Sequence, residues 1–492
     1  MDKDLSSIQE ARDLAEQAHT AWQSWRHATQ VQVDRVCAAM AEAGFHAAAR
    51  LGHLAQEETG FGVAAHKQLK NEFASRGVWE SIQPLRTAGI IRNDPSRHLY
   101  EIAWSLGVIA ALTPSTNPTS TAIFKALIAV KARNAIVIAP HPSAARCTHQ
   151  AVQALAVAAE NAGAPKGLLS CMQQISLPGT QALLSHRRTA LILATGGAAM
   201  VRAAHAIGKP AYGVGPGNVP VYVDRSANLE RAARYIVASK SFDYSTICAS
   251  EQAIVADKPI ARRLAELLRQ EGAYFTREQE TAALRHLLFH PDGSMNTAVV
   301  AKSAPFVAEA AGFTVPAETR VLVAPLAQIG PTEPLSHEKL TTVLAWYEAE
   351  GWEQGCEISL ALIEAGGLGH TQIIHAEDGR VVLNFALEKP VFRILANTMG
   401  TLGALGLTTG LMPSLTLGSG GVGGSITGDN ITATHLLNIK RLAYEMSSPP
   451  PEALTEGQLP GANAAGAPAA APSPEALEQR VREIVQRILQ AA

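Results

Sequence analysis

The sequence predicts an α/β protein built around parallel β-sheet that is covered by helices on both faces. Short apolar runs alternate along the chain with alanine-rich helical stretches, which is typical of βαβ units. The runs lie at 107–112, 135–139, 190–194 and 219–223, and the helical stretches at 122–132, 143–162 and 199–207. Of the 492 residues, 47% are hydrophobic and 17% are charged, which indicates a globular chain of about two to four domains.

Other sequence patterns predict the helices and strands that lie outside this alternation. Apolar residues at helical spacing, such as those from Leu5 to Ala18, predict helices in the first eighty residues. The polar segment around Pro95 predicts a turn between two strands. A second α/β segment from about 229 to 410 contains strand-like runs at 249–257 and 321–326 and a helix from about Glu353.

The C-terminal region has a different composition. Residues 447–473 are mostly Ala, Pro and Gly, which cannot bury a core and predict a linker. Ser473 and Pro474 then suit the N-cap and first position of a helix over 474–492. Its apolar residues share one face: Leu477, Val481, Ile484, Val485, Ile488 and Leu489.

Charge and cysteine content exclude several classes of protein. The 41 basic and 43 acidic side chains give a net charge of −2, which excludes a generally basic nucleic-acid binder. No apolar run approaches the length of a membrane span, and the N-terminus lacks the apolar core of a secretory signal. The five scattered cysteines form no CxxC pair, which predicts neither a disulfide framework nor a metal site and fits the cytoplasm.

Two polar segments contain candidate catalytic residues. Cys248 follows a polar loop and precedes a strand-like run, where a thiolate would be a nucleophile, although an inert buried cysteine is the commoner case and the local sequence does not exclude it. Asn117 precedes a helix, where its amide is suited to stabilising an oxyanion or to a simple Asx turn. His370, at a glycine-rich turn, fits either a catalyst or a structural hydrogen-bonding residue.

Three glycine-rich loops predict a nucleotide-type site without naming its ligand. Glycines between a strand and a helix allow a phosphate to approach the backbone at the helix N-terminus. The first loop contains Thr195, Gly196 and Gly197, the second Gly213, Gly215 and Gly217, and the third Gly418, Gly420, Gly421, Gly423 and Gly424.

Seven segments together resemble the CoA-acylating aldehyde dehydrogenases, and most closely the aldehyde dehydrogenase half of bifunctional aldehyde–alcohol dehydrogenases. They are TPSTNPTSTAIFKAL, ATGGAAMVRAA, GKPAYGVGPGN, FDYSTICASEQ, EPLSHEKL, GGLGHT and MPSLTLGSGGVGGS, in the order found in that family. The resemblance covers about residues 5–446 and contains no alcohol dehydrogenase half.

The resemblance implies the aldehyde dehydrogenase fold, with a Rossmann-like cofactor domain, an α/β catalytic domain and a β-hairpin oligomerisation arm. The implied cofactor domain comprises residues 1–228, with the arm inserted at 89–106, and the implied catalytic domain comprises residues 229–410. Residues 411–446 are expected to return to the cofactor domain and the arm. The 447–473 linker and the 474–492 helix follow. A homo-oligomer, dimer or tetramer, is expected.

The resemblance also implies the roles of individual residues. Cys248 matches the nucleophile, Asn117 matches the oxyanion donor, and His370 matches a histidine of the acylating branch. The positions expected to contact the cofactor are Thr116, Thr195, Gly196, Gly197, Gly213, Gly215, Glu338 and Leu417. Those expected to line the acyl pocket are Tyr244, Thr246 and Ile247.

Departures from the hydrolytic relatives indicate which reaction is expected. Those enzymes resemble this chain but carry a water-activating Glu where Gly213 stands, and a ribose-binding Lys where His141 stands. Without that carboxylate, the thiol of coenzyme A is expected to take the acyl group from Cys248. NAD is the expected cofactor, with the choice between NAD and NADP left open. Ser419 replaces the Cys usual in close relatives, with no expected catalytic consequence.

Several alternatives remain open at this point. The substrate is expected to be a short-chain aldehyde of the acetaldehyde or propionaldehyde type, against a sulfonated aldehyde such as sulfoacetaldehyde. A hydrolytic dehydrogenase and a non-enzymatic scaffold are the rival functions. The 474–492 helix resembles the encapsulation peptides that recruit enzymes to shell or lumen proteins of bacterial microcompartments. The other possibility is that this helix packs on its own oligomer.

Overall fold

A computed structural model describes residues 2–450 and the single residues 453, 479 and 483. The predicted 447–473 linker and 474–492 helix therefore lie almost wholly outside the described residues. By its internal contacts the chain divides into a large unit, residues 1–93 and 100–442, and a small one, residues 94–99 and 443–492. In the small unit, the Tyr444 N–H donates a hydrogen bond of 3.1 Å to the His98 carbonyl.

Helices occupy most of the N-terminal region, as predicted. They are α1 (Lys3–Trp25), α2 (Gln30–His46), α3 (Ala48–Thr59), α4 (Ala64–Glu72) and α5 (Val78–Ile82). Thr29 and Gln32 form a capping box at the start of α2, which satisfies N–H groups that the helix leaves free. Alanines at helical spacing in α1, including Ala11, Ala15 and Ala18, are fully buried. Their small side chains allow α1 to pack closely on the neighbouring elements.

Strands lie on both sides of Pro95, as the turn predicted. They are β1 (Ile90–Asp94) and β2 (Leu99–Ser105), separated by a 3-10 turn over Pro95–Arg97. A late strand, numbered β15 (Leu437–Ala443), completes a three-stranded sheet in the order β1-β2-β15.

A five-stranded parallel sheet follows the hairpin. Its strands are β3 (Val108–Thr113), β4 (Ala135–Pro140), β5 (Leu169–Cys171), β6 (Thr189–Thr195) and β7 (Ala211–Val214), in the order β5-β4-β3-β6-β7. The connecting helices are α6 (Pro118–Lys131), α7 (Ala145–Asn161), α8 (Leu177–Ser185) and α9 (Ala198–Ala206). The strand order reverses between β3 and β6, and ligands bind at such a switch point beyond the carboxyl ends of the strands.

The second sheet has seven parallel strands. They are β8 (Val219–Val223), β9 (Glu251–Asp257), β10 (Ala273–Phe275), β11 (Val321–Pro325), β12 (Val343–Ala349), β13 (Gln372–His375) and β14 (Ile394–Ala396), in the order β10-β11-β12-β9-β8-β13-β14. Its helices are α10 (Leu229–Ser241), α11 (Lys258–Gln270), α12 (Glu278–Leu288), α13 (Ala304–Ala310), α14 (Gly351–Gly366), α15 (Gly379–Leu387) and α16 (Gly400–Ala404).

The predicted α/β class with parallel, buried sheets is confirmed. Every residue of β3, β4, β8 and β9 is buried, as expected for strands covered on both faces. The strand β8 precedes residue 228, where the cofactor domain was expected to end, but it belongs to the second sheet. The chain therefore passes from one sheet to the other between Val214 and Val219. Among the described residues, no helix has both the length and the apolar character of a membrane span.

A buried lysine joins the two strands at the switch point. Lys125 of α6 is fully buried, and its Nζ donates to the carbonyls of Leu112, at 2.7 Å, and Leu193, at 2.9 Å. Burial lowers the pKa of Lys125 to about 7. A neutral amine has two N–H groups, which match these two acceptors. The ends of β3 and β6 are thereby held together where their loops begin.

We predict that replacing this amine changes how stability depends on pH. The pKa of an unfolded lysine is about 10.4, so between pH 7 and pH 10 the unfolded chain binds a proton that folded Lys125 lacks. The stability of the wild type relative to Lys125→Met should therefore rise with pH, by at most about 1.4 kcal/mol per pH unit. Urea unfolding of both proteins at pH 7 and pH 9 measures the difference. If the difference in unfolding free energy between the wild type and Lys125→Met is the same at both pH values, the pKa of Lys125 is not lowered as described.

Candidate active site

A cavity of about 470 Å³ lies beyond the carboxyl ends of β3, β6 and β7. Loops that follow these strands line it, together with the segment containing Cys248 and the segment around Leu417. Nine predicted site residues are among its lining: Thr116, Asn117, Thr195, Gly196, Gly197, Gly215, Cys248, Glu338 and Leu417. The fold thus brings together residues that are up to about three hundred positions apart in sequence.

Cys248 lies against His370. The Cys248 Sγ is 3.2 Å from Nε2 of His370, although His370 is not itself among the lining residues. Nδ1 of His370 is 2.9 Å from Oγ1 of Thr371. When Nδ1 carries the proton and donates it to Thr371, Nε2 is left as an acceptor facing the sulfur. The ring can therefore take the thiol proton.

The electrostatic surroundings keep this pair neutral at rest. Burial, followed by the charge of Glu338, raises the pKa of the Cys248 thiol to about 12. Burial, followed by the charge of Arg393, lowers the pKa of His370 to about 3. A thiol and a neutral imidazole therefore coexist at pH 7. The sulfur would become a strong nucleophile only if its proton moved to His370.

Gly217 makes the close approach of these groups possible. A Cβ at this position would lie 2.4 Å from the Cys248 carbonyl oxygen and 3.0 Å from the His370 ring. Its N–H donates a 3.1 Å hydrogen bond to Oε1 of Glu338. Any larger residue would therefore push His370 or the Cys248 backbone out of place.

Gly213 has a different position from the one expected. It lies in β7, and it is not among the residues that line the cavity. A Cβ there would lie 2.5 Å from Nε2 of His205 and 2.6 Å from a methyl group of Val201. Packing of α9 against β7 therefore leaves no room for a carboxylate side chain at residue 213.

Two of the three residues expected to line the acyl pocket are found in the lining of the cavity. Thr246 and Ile247 line it, whereas Tyr244 does not. Tyr244 lies in a turn in which Asp243, Tyr244 and Ser245 all have left-handed backbone conformations, with φ of 47°, 52° and 68°. The local sequence does not reveal this turn, because none of the three residues is glycine.

Two lysines that the sequence analysis missed surround this turn. Lys67 and Lys70 of α4 are each 2% exposed, and both ammonium groups contact the fully buried carboxylate of Asp243. Although burial opposes it, these charges hold the pKa of Asp243 below its ordinary value. Lys70 also donates to Oδ1 of Asn117 at 2.5 Å. Two lysines three apart on a helix are an ordinary pattern, so no sequence signal marks them.

The lining fits a dinucleotide cofactor. Gly197 is the N-cap of α9 and provides no side-chain cap, so the first N–H groups of this helix remain available for a phosphate. A Cβ at Gly197 or Gly215 would meet no atom within 4 Å, so there is open space beside the backbone. His141 also lines the cavity, and its Nδ1 accepts a 3.2 Å hydrogen bond from the Ser143 N–H.

The raised pKa of Cys248 predicts a specific alkylation profile. The rate of modification by iodoacetamide should rise about tenfold per pH unit from pH 7 to pH 9 without a plateau, because only the thiolate reacts. Peptide mapping, with Cys248→Ala as the control, assigns the rate to this residue. A plateau between pH 6 and pH 7 would show a preformed thiolate–imidazolium pair and contradict the neutral resting state.

The geometry can be compared with known proteins. The profile of the aldehyde dehydrogenase family matches residues 3–280. An aldehyde-alcohol dehydrogenase of Streptococcus pneumoniae is 42% identical over 395 residues, which are 78% of this chain and 45% of that protein. The chain thus spans about half the length of such curated relatives.

Two solved structures are informative. An acetylating aldehyde dehydrogenase from Geobacillus thermoglucosidasius has a TM-score of 0.90 and 48% identity, covering 92% of this chain and 99% of its own. A propionaldehyde dehydrogenase from Rhodopseudomonas palustris with bound propionyl-CoA has a TM-score of 0.81 and 26% identity, covering 88% and 94%. The resemblance that the motifs indicated, and the fold it implied, are confirmed, and the chain belongs to the aldehyde dehydrogenase family.

Proposed function

We propose that this protein oxidises a short, uncharged aldehyde to its acyl-CoA through a thioester on Cys248, with NAD as cofactor and coenzyme A as co-substrate. The observation that carries the proposal is the 3.2 Å contact between the Cys248 Sγ and His370 Nε2 beside a cavity that the Asn117 side chain also lines. The likeness to an acetylating dehydrogenase and to a relative with bound propionyl-CoA supports it.

The first step forms a carbon–sulfur bond. The Cys248 sulfur attacks the aldehyde carbon while its proton passes to Nε2 of His370, and the carbonyl oxygen becomes an oxyanion. The Asn117 amide would stabilise this charge by exchanging its 3.2 Å hydrogen bond to the Thr116 hydroxyl for one to the oxyanion, and the backbone N–H of Cys248 would be the second donor. NAD bound in the same cavity would supply the acceptor for the hydride that leaves as the thioester forms. Thr116, Gly197, Gly215, Glu338 and Leu417 are the residues assigned to hold it.

The second step transfers the acyl group. The thiol of coenzyme A attacks the thioester carbon and loses its proton to solvent, the bond from that carbon to the Cys248 sulfur breaks, and His370 returns to the sulfur the proton that it took in the first step. Water is expected to compete poorly, because the cavity's one described carboxylate is assigned to the cofactor rather than to water. Glu338 is the one acidic side chain among the described lining residues, and its Oε1 accepts the N–H of Gly217. Packing around Gly213 leaves no room for another.

The described lining favours an uncharged aldehyde over a sulfonated one. It contains no lysine or arginine, and much of it is apolar, including Phe61, Ile247, Met295 and Leu405. The buried Arg393 is instead occupied by the backbone carbonyls of Gly418 and Gly428. A sulfonate would lose its hydration in this cavity without gaining an ion pair. Acetaldehyde and propionaldehyde fit the cavity better than sulfoacetaldehyde.

Turnover should depend on coenzyme A. With acetaldehyde or propionaldehyde and NAD alone, NADH should form in a burst of one equivalent per active site and then nearly stop, because the thioester persists. Adding coenzyme A should restore steady turnover, with parallel initial-rate lines when aldehyde and coenzyme A are varied. Steady NADH formation without coenzyme A would instead identify a hydrolytic dehydrogenase.

Removing the oxyanion donor should slow the chemistry. Asn117→Ala should lower kcat by about 10²–10³, the usual cost of one lost donor, with a smaller change in KM. Cys248→Ala should form no NADH while keeping the wild-type melting temperature to within a few degrees. An unchanged kcat in Asn117→Ala would remove this amide from the mechanism.

We also propose that residues 474–492 recruit the enzyme to a bacterial microcompartment. The support is the sequence pattern alone, an alanine- and proline-rich segment followed by an amphipathic one. An apolar stripe of this kind is suited to a groove on a partner.

Deleting everything after Ser447 tests the recruitment. The truncated enzyme should keep its kcat and oligomeric state but lose co-purification with shell or lumen proteins. Fusing residues 473–492 to a fluorescent protein should transfer that association, and Val481→Asp with Ile488→Asp should abolish it. Dissociation or inactivation of the truncated enzyme would show that the segment belongs to the oligomer.

A further inference from the structure

We propose that Lys70 is a positioning residue that fixes the orientation of the Asn117 carboxamide for oxyanion stabilisation. The inference rests on the proposed function, because it assigns a task to the side chain that supplies the oxyanion donor there. Lys70 belongs to α4, far in sequence from both Asn117 and Cys248.

The hydrogen bonds of the carboxamide set its orientation. Lys70 Nζ donates to the Asn117 oxygen, Oδ1, at 2.5 Å. The opposite side, Nδ2, donates to the Thr246 carbonyl at 2.9 Å and to Oγ1 of Thr116 at 3.2 Å. An ammonium group has donors only, so the amide oxygen must face Lys70 and the amide nitrogen must face away from it. Without Lys70, Oδ1 would keep only the 3.4 Å contact with the Thr246 hydroxyl, and the Thr246 carbonyl would be left as the main group that opposes a turned-over carboxamide.

Lys70 also fixes this amide relative to the nucleophile. Its Nζ donates to Oγ1 of Thr246 at 3.1 Å, and Thr246 is two residues before Cys248. The same Thr246 hydroxyl lies 2.7 Å from Oδ2 of Asp243. One ammonium group therefore joins the loop after β3 to the loop that carries the sulfur.

The burial of this ammonium is compensated locally. Asp243 is fully buried, contacts Lys70 directly and accepts the Val63 N–H at 2.6 Å. Lys67 contacts the same carboxylate at 3.1 Å. Removing Lys70 would therefore leave Asp243 paired with Lys67. The fold should be destabilised less than it would be if Lys70 were the only charged partner of this carboxylate.

Lys67 provides a matched control for a purely structural role. It is equally buried and contacts Asp243, and it donates to the Thr116 carbonyl at 3.0 Å rather than to Asn117. If the two lysines only hold the strained turn at Asp243–Ser245, replacing either should affect activity alike. If Lys70 positions the carboxamide, its replacement should be much more damaging to catalysis.

The test compares Lys70→Met with Lys67→Met in the full-length enzyme. Lys70→Met should lower kcat by about 10–10², approaching the loss of one oxyanion donor, with KM changed less than threefold. Alkylation of Cys248 by iodoacetamide forms no oxyanion and should stay within about threefold of the wild-type rate. Lys67→Met should lower kcat less than about fivefold despite a similar fall in melting temperature. Equal kcat losses in both variants overturn the proposal.

A double-mutant cycle isolates the pathway through Asn117. In the Asn117→Ala background, Lys70→Met should lower kcat by less than about twofold, because the group that it positions is already absent. Multiplicative losses overturn the proposal. If Lys70→Met does not fold, Lys70→Met combined with Lys67→Met and Asp243→Asn removes all three charges of the cluster, and the loss of kcat on adding Asn117→Ala to that variant is read by the same assays. An Asn117→Ala enzyme with normal kcat would count against the proposed function, whereas a slow Asn117→Ala with a normal Lys70→Met counts only against this inference.

Discussion

The contact of the buried Asp243 carboxylate with Lys67 and Lys70 is the interaction on which the site geometry depends. Asp243, Tyr244 and Ser245 are all left-handed, a conformation that costs about 1–2 kcal/mol for each such residue. The two ammonium groups and the Val63 N–H hold the carboxylate at the start of this turn. The turn delivers the following segment to the cavity, and its carboxylate is shared by two lysines of a distant N-terminal helix, so either lysine still pairs with it when the other is replaced.

Two glycines determine which groups can lie close to the sulfur. Gly217 allows His370 and Cys248 to approach each other, and its N–H engages the Glu338 carboxylate. Gly213 lies against α9 with no space for a side chain. The cavity thus places a proton acceptor beside the thiol, and the one acidic side chain among its described lining residues, Glu338, accepts the Gly217 N–H. A neutral thiol and a carboxylate that is already engaged are together consistent with the proposed acyl transfer to another thiol.

Much of this structure could be predicted from the sequence because its signals are local. The apolar runs that became β3, β4, β6 and β8, and the glycine loop that follows β6, are periodic or compositional features. The pairing of Lys70 with Asp243 joins residues 173 positions apart, and no local pattern encodes it. The membership of β8 in the second sheet and the packing around Gly213 are also tertiary facts, invisible to spacing and propensity.

The proposed mechanism requires an acyl group to reside on Cys248 between two half-reactions. The most direct measurement is intact-protein and peptide mass spectrometry after mixing the enzyme with propionaldehyde and NAD without coenzyme A. A propionyl adduct is expected on the peptide that contains Cys248, at about one per active site, and it should disappear when coenzyme A is added and propionyl-CoA forms. NADH formation with an unmodified Cys248, or an adduct that coenzyme A does not discharge, would contradict it.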